Sequence, residues 1–279
     1  MAAQTRLGSG PTHHRSARAA PLPRDDARGS TSTGWRRWTR AARLAAPLGV
    51  LAAAWAEPAA PQTVDLELIL AVDASGSVDE GEFELQTRGL AEAFRDPAVG
   101  AALAAYAPGG AALSLMQWSG RGQQVVTVDW TLVRDGAAAH AFADAIASAG
   151  RRLLGETAIA EALAFAIDQL ERNRFAGARR VIDLSGDGAA NAGGDPEAAR
   201  DAAMALGITI NGLAILNEAP VLDYYYAERV VGGPGAFTMV AKDYEDFAQA
   251  IRRKLLREIE GAGLALQGAP PALLAGAPP

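Results

Sequence analysis

The stretch LELILAVDASGS, residues 66–77, joins a nearly continuous apolar run to three side chains that carry oxygen. Residues 66–72 have the composition of a strand that is covered on both faces. Asp73, Ser75 and Ser77 follow at alternate positions directly after it. Carboxylate and hydroxyl oxygens are the ligands that hard divalent cations prefer. The stretch therefore predicts a buried strand that ends at a cation site.

Outward from this strand, strand and helix patterns alternate over residues 64–261. The alternation predicts an α/β fold: a doubly wound, mostly parallel six-stranded sheet with one antiparallel edge strand and helices on both faces, similar to a Rossmann fold. The predicted strands are 66–72, 112–118, 124–130, 180–185, 208–215 and 236–240. The predicted helices are 79–95, 137–148, 157–172, 196–206, 220–230 and 244–259.

Charge is distributed unevenly along the 279 residues. Residues 1–62 contain nine Arg and three acidic residues, so the remainder carries 17 basic and 29 acidic side chains. An acidic folded part argues against nucleic acid as a partner, because phosphate binding needs clustered Lys and Arg. The lack of cysteine excludes disulfides, a thiolate nucleophile and a zinc site with Cys ligands.

The N-terminal part predicts export. Residues 35–56 combine a basic run, a short apolar run and the small-residue site Ala54-Trp55-Ala56, as in a secretory signal. The apolar run is shorter than the roughly 20 residues of a membrane-spanning helix. We therefore expect a periplasmic or secreted protein without a spanning helix in its mature form. Tethering to the membrane by an uncleaved signal is the alternative.

The remaining boundaries follow from composition. Residues 1–34 lack apolar periodicity and predict a disordered or wrongly assigned start. Two prolines mark a linker at 57–63, a single domain spans 64–261, and a proline-rich, disordered tail covers 262–279.

Two further loops carry oxygen side chains that could join the first. Thr157 lies at the start of a predicted helix, and Asp187 follows the predicted strand 180–185. Ligands of open α/β sheets gather at the carboxyl ends of strands. Convergence would bring two carboxylates and three hydroxyls together. Such a set barely neutralises a doubly charged ion, which would keep open positions for water or an outside ligand.

These three motifs, Asp73-x-Ser75-x-Ser77, Thr157 and Asp187-Gly188, resemble the metal-ion-dependent adhesion site of the von Willebrand factor type A domain (vWA). The resemblance covers roughly residues 64–261. It implies Ser75, Ser77 and Thr157 as hydroxyl ligands, with Asp73 and Asp187 acting directly or through water. It also implies a divalent cation, Mg²⁺ first with Mn²⁺ or Ca²⁺ as alternatives, which coordinates an acidic residue of a protein partner.

A more specific resemblance is to an uncharacterised group of exported bacterial vWA-like proteins, a domain of unknown function. It rests on residues 64–73, 179–188 and 232–237. Glu156 departs from the small or neutral residue usual at its position and would place negative charge at the rim, where it would weaken attraction for an acidic partner or favour calcium. Trp118, Arg121 and Asn191 are further candidates for the rim of the site.

The leading hypothesis is an exported, metal-dependent protein-binding module for adhesion or assembly, with no enzymatic activity, no catalytic residue and no other cofactor. Its partner presents a carboxylate, and the sequence leaves the oligomeric state open. A metal-assisted hydrolase is the first alternative, but only Glu156 and Asp183 offer a general base, and no nucleophile–base pair is visible. Asp183, within a predicted strand, is expected to make a buried polar contact. A scaffold with a vestigial metal site is the second alternative.

Overall fold

The computed structural model describes residues 60–267, and side chains as far as Gly261. The predicted disordered start, the secretory signal and the first part of the linker lie outside the described residues, as does the tail beyond residue 267. No helix within 60–267 combines the length and apolar character that a membrane crossing requires.

The described residues contain a six-stranded sheet with the strand order β3-β2-β1-β4-β5-β6. Neighbouring strands are parallel, except that β3 runs antiparallel to β2 at one edge. This confirms the predicted α/β architecture. The strands are β1 (Gln62–Asp73), β2 (Ala111–Trp118), β3 (Gln124–Val133), β4 (Phe175–Gly186), β5 (Ile208–Ile215) and β6 (Thr238–Ala241).

Helices cover both faces of the sheet. The first begins at a capping box, in which the Asp79 carboxylate accepts from the Glu82 N–H and the Glu82 carboxylate accepts from the Asp79 N–H, both at 2.8 Å. A π-helical turn, Tyr226–Val230, continues the sixth helix. The helices are α1 (Glu80–Arg95), α2 (Pro97–Tyr106), α3 (Gly136–Ala147), α4 (Ile159–Arg172), α5 (Pro196–Ala205), α6 (Leu222–Tyr225) and α7 (Phe247–Gln267).

Successive side chains of the central strand β1 point to opposite faces. Leu68, Leu70 and Val72 belong to the core beneath α1, α2, α3 and α7. Ile69 and Ala71 belong to the core beneath α4 and α5. By the same period of two, Asp73 points to the face of Ile69 and Ala71, where β1 leaves the sheet.

The order of the strands in the sheet determines where the candidate site lies. From β1 the chain moves outward to β2 on one side, and later to β4 on the other, so the winding reverses between β1 and β4. Their carboxyl ends lie side by side, with Val72 paired to Ser185. Ligands of doubly wound sheets bind at such a switch point. Asp73 and Asp187 therefore follow the two strands that flank it.

Several elements differ from the predicted ones. Helix α2 was not predicted, although aspartate is a common N-cap residue. In the structure, the Asp96 carboxylate caps this helix by accepting a hydrogen bond from the Ala98 N–H at 2.7 Å. Strand β4 begins at Phe175 rather than residue 180, because its first residues pair with the start of β1. This pairing outweighs the weak strand preference of a segment that contains Gly177. Helix α7 begins three residues late, at Phe247, and continues to Gln267, past the predicted boundary at 261.

Candidate metal centre

The first loop of the site is shaped by its own side chains. Asp73 is fully buried, and its Oδ1 accepts a hydrogen bond from the Ser75 N–H at 2.7 Å. The Ser75 and Ser77 hydroxyl oxygens are 3.2 Å apart. Behind the loop, the Gln86 amide donates to the Asp73 carbonyl at 3.0 Å. Three of the predicted ligands are thereby held together within one turn.

The third loop meets the first through Asp187. The Ser77 hydroxyl donates to Asp187 Oδ1 at 2.7 Å, across 110 positions of sequence. The Tyr244 hydroxyl donates to Asp187 Oδ2 at 3.1 Å from the turn before α7. The carboxylate is buried and is fixed through both oxygens.

The second loop carries Thr157, which is buried and precedes α4 by two residues. The sequence pattern had predicted a helix that begins at Thr157. The N-cap is Ala158, however, so Thr157 lies outside the helix. Its N–H donates to Asn191 Oδ1 at 2.8 Å, and its carbonyl accepts from the Asn191 N–H at 3.0 Å. A side chain at Gly188 would approach its hydroxyl at 3.9 Å, which places Thr157 beside the loop of Asp187.

The site has a surplus of negative charge that a cation would neutralise. The pKa of Asp73 is raised to about 7, mainly by burial, with the Asp187 carboxylate contributing in the same direction. The Arg151 guanidinium lowers this pKa least of the contributing groups, and it donates to the carbonyls of Ala74 and Ser75 at 3.1 and 2.8 Å. Two buried carboxylates thus face one another without an ion-pairing partner in the part of the chain that the structure describes.

The donor set fits a hard divalent cation. Asp73 Oδ2 is buried and has no hydrogen-bond partner among residues 60–267. The surrounding donors are carboxylate and hydroxyl oxygens, as magnesium, manganese and calcium prefer. Within the same residues, no group of three or more His, Cys, Asp or Glu could hold a metal ion, so this site relies on hydroxyl oxygens as well as its two carboxylates.

The four predicted rim residues have different places. Glu156 and Arg121 are exposed, and Arg121 donates to the Gly193 carbonyl at 3.1 Å. Asn191 is exposed as a residue, but its side chain holds the backbone of Thr157. Trp118 is completely buried in the core beneath α4, so its prediction as a rim residue is wrong. The period of two explains this, since Trp118 pairs with Asp73 and shares its inward direction.

The family model described as protein of unknown function (DUF1194) matches residues 63–263, most of the chain. The chain belongs to this family. No curated protein matches it.

The fold of this chain is similar to that of several solved structures. Proximal thread matrix protein 1 of the mussel byssus matches with a TM-score of 0.50 at 15% identity, over 71% of this chain and 46% of that protein. A structure of the same mussel protein with a zinc-occupied MIDAS motif matches with a TM-score of 0.50 at 14% identity, over the same shares. The VWA domain of SpRpn10 matches with a TM-score of 0.47 at 14% identity, over 67% of this chain and 96% of that domain. This chain therefore spans about half the length of the mussel protein.

Two residues of the site, Tyr244 and Tyr226, were not predicted from the sequence. Tyr226 is completely buried in the π-helical turn, and its hydroxyl has no hydrogen-bond partner among residues 60–267. An ideal Cβ at Gly186 would lie 2.7 Å from this hydroxyl and 2.7 Å from Asp73 Oδ2. The two oxygens therefore border the same point, where only glycine leaves room. The run Tyr224-Tyr225-Tyr226 is conspicuous in the sequence, but no sequence pattern indicates that Tyr226 lies beside Asp73.

Gly186→Ala is expected to lower both the stability of the domain and its affinity for magnesium. The new methyl group would overlap Asp73 Oδ2 and the Tyr226 hydroxyl, and overpacking of a filled site costs about 1–3 kcal/mol. Urea unfolding and magnesium titration of the full chain measure the two effects. Gly188→Ala is the control, since its Cβ would make only an ordinary contact at 3.9 Å. Equal behaviour of the two variants would contradict this packing.

Proposed function

We propose that this chain is an exported, metal-dependent protein-binding module for adhesion or assembly. The single observation that carries the proposal is the meeting of three distant loops: Ser77 donates to Asp187 at 2.7 Å, and the Thr157 N–H donates to Asn191 at 2.8 Å. Asp73, Ser75, Ser77, Thr157 and Asp187 would hold the ion, with Mg²⁺ as the first choice. When bound, the ion supplies an electrophilic position that a carboxylate of the partner can occupy.

Export rests on the signal pattern of residues 35–56, and a periplasmic or secreted location follows from it. The zinc-occupied MIDAS motif of the mussel protein supports a divalent cation at this kind of site. The acidic composition after residue 62 supports a protein partner rather than nucleic acid.

A binding role accounts for the site better than hydrolysis. Asp183, one of the two candidate bases, is buried in an ion pair with Lys254 Nζ at 2.6 Å. Glu156 is exposed and directly precedes Thr157, so its charge would select against partners with a surplus of negative charge. We therefore propose that Glu156 tunes partner choice and that the chain is not an enzyme.

Selection of displayed random peptides on the immobilised full chain tests the proposal. In magnesium, the enriched sequences are expected to contain an Asp or Glu, and a chelator should remove that enrichment. Thr157→Ala should abolish it, because one hydroxyl ligand is lost. Thr87→Ala on α1 should leave the enrichment unchanged, because the Thr87 hydroxyl donates a hydrogen bond to the Phe83 carbonyl within the helix at 2.9 Å. Enrichment of peptides without acidic residues, or equal enrichment with chelator, would overturn the proposal.

A further inference from the structure

A cavity lies towards the amino ends of the strands, whereas the metal centre lies at their carboxyl ends. Its volume is about 530 Å³, and it lies near the amino ends of β4 and β5, closed on one side by α7. Volumes of this size are typical of small-molecule sites. Its polar and aromatic lining consists of Arg179, Arg180, Thr209, Phe237, Arg257 and Glu260.

The arginines give this cavity a surplus of positive charge. Arg180 is ion-paired with Glu171. Neither Arg179 nor Arg257 forms an ion pair with a carboxylate within residues 60–267. Two guanidinium groups therefore face the single carboxylate of Glu260 in the lining.

The two unpaired arginines are held in place. Arg179 Nη1 donates to the Glu258 carbonyl at 2.8 Å, which leaves other N–H groups of the guanidinium for a ligand. Burial lowers the pKa of Arg179, with the Glu258 carboxylate opposing, so a bound anion would be favourable there. Arg257 stacks on Phe237, with its Cζ 3.8 Å from the ring centroid. Fixed, planar guanidinium groups suit carboxylate and phosphate oxygens.

The cavity also has an apolar side. The Phe237 ring is nearly buried beneath Arg257, and Pro234 lies beside it in the lining. The Thr209 hydroxyl donates to the Pro234 carbonyl at 3.3 Å and keeps this loop against β5. An occupant that combined an anionic group with a planar apolar part would contact both halves of the cavity.

We infer that this cavity is a binding site for a small organic anion, one that carries a phosphate or carboxylate next to a planar apolar group. Arg179 and Arg257 bind the anionic group, and Phe237 and Pro234 contact the apolar part. The site is separate from the metal centre, since none of its lining residues belongs to the three metal-site loops. Its occupancy therefore does not require a divalent cation.

Calorimetric titration of the full chain with phenyl phosphate and with benzoate tests the inference. The chain is first treated with chelator and then transferred to metal-free buffer, so that no bound metal can capture the anion and the chelator's own carboxylates do not compete for the cavity. At least one of the two ligands is expected to bind saturably, and at least about 10-fold more tightly than neutral benzyl alcohol, because a charge-assisted hydrogen bond is retained.

The matched variants are Arg257→Gln and Arg253→Gln. Each removes one positive charge from an exposed position of α7, but only Arg257 lines the cavity. Arg257→Gln is expected to weaken binding at least about 10-fold, whereas Arg253→Gln leaves it unchanged. Failure of both ligands to bind saturably, or equal weakening by the two variants, would overturn the inference. Unchanged melting curves of both variants without ligand would confirm that folding is not the cause.

Discussion

Asp73→Ala is expected to abolish the stabilisation of the full chain by magnesium. An ion that binds only the folded state stabilises it by about 2.7 kcal/mol at 100 times its dissociation constant. For a domain of this size, that corresponds to a rise in melting temperature of roughly 5–10 °C. Asp73 supplies one of the two carboxylates that make the cation favourable, so the variant should show no rise. Thermal unfolding with increasing magnesium measures the difference.

Asp168→Ala provides the control for this prediction. Asp168 is an α4 residue whose carboxylate pairs with Arg172 at 2.8 Å on the surface. Its removal takes away the same charge without touching the metal centre, so the full magnesium-dependent rise should remain. A rise of equal size in Asp73→Ala would mean that magnesium binds elsewhere.

Lys254→Met is expected to produce the largest loss of stability, about 3–5 kcal/mol. Lys254 is completely buried, and its Nζ lies 2.6 Å from Asp183 Oδ1 and 2.7 Å from Glu258 Oε1. The Asn211 amide also donates to Glu258, at 2.8 Å. This group joins α7 to β4 and β5. Removing its only cation leaves two buried carboxylates facing each other without compensation.

Urea unfolding of Lys254→Met and of Arg253→Met measures this effect, because Arg253 is the exposed neighbour on the same helix. Burial and the Glu258 carboxylate raise the pKa of Asp183, and Lys254 opposes them. The double variant Asp183→Asn with Lys254→Met should therefore recover part of the loss, since one buried charge is removed. Equal stabilities of the two single variants would refute a structural role for the buried group.

Much of the fold could be predicted from local patterns. The apolar run of β1 and the continuous strand β5 follow from composition, and β5 was placed at its observed bounds. Helix α1 follows from its apolar face and the Asp79 cap. In contrast, α2 is an alanine-rich segment with little amphipathic contrast, so its only clear signal was Asp96-Pro97. The beginning of β4 depends on pairing with β1, which no local pattern reports.

The residues of the candidate site were available from motifs, but their surroundings were not. Asp73, Ser77 and Asp187 form a recognisable pattern because the chemistry requires particular residue types. Tyr226 and Tyr244 approach these carboxylates from segments whose position depends on the whole fold.

The buried charged group shows the same limit. A lysine and a glutamate four residues apart, such as Lys254 and Glu258, are typical of an exposed helix face. Only the sheet beneath α7 reveals that both are buried. Asp183 was expected to make a buried polar contact, but its partner lies 71 positions away and has no signature of its own.

Diffraction from crystals of the full chain grown with manganese tests the central claim most directly. We expect an anomalous-scattering peak enclosed by the side chains of Asp73, Ser75, Ser77, Thr157 and Asp187, and its loss in crystals of Asp73→Ala. A well-ordered site without such a peak in excess manganese would contradict the proposed metal centre.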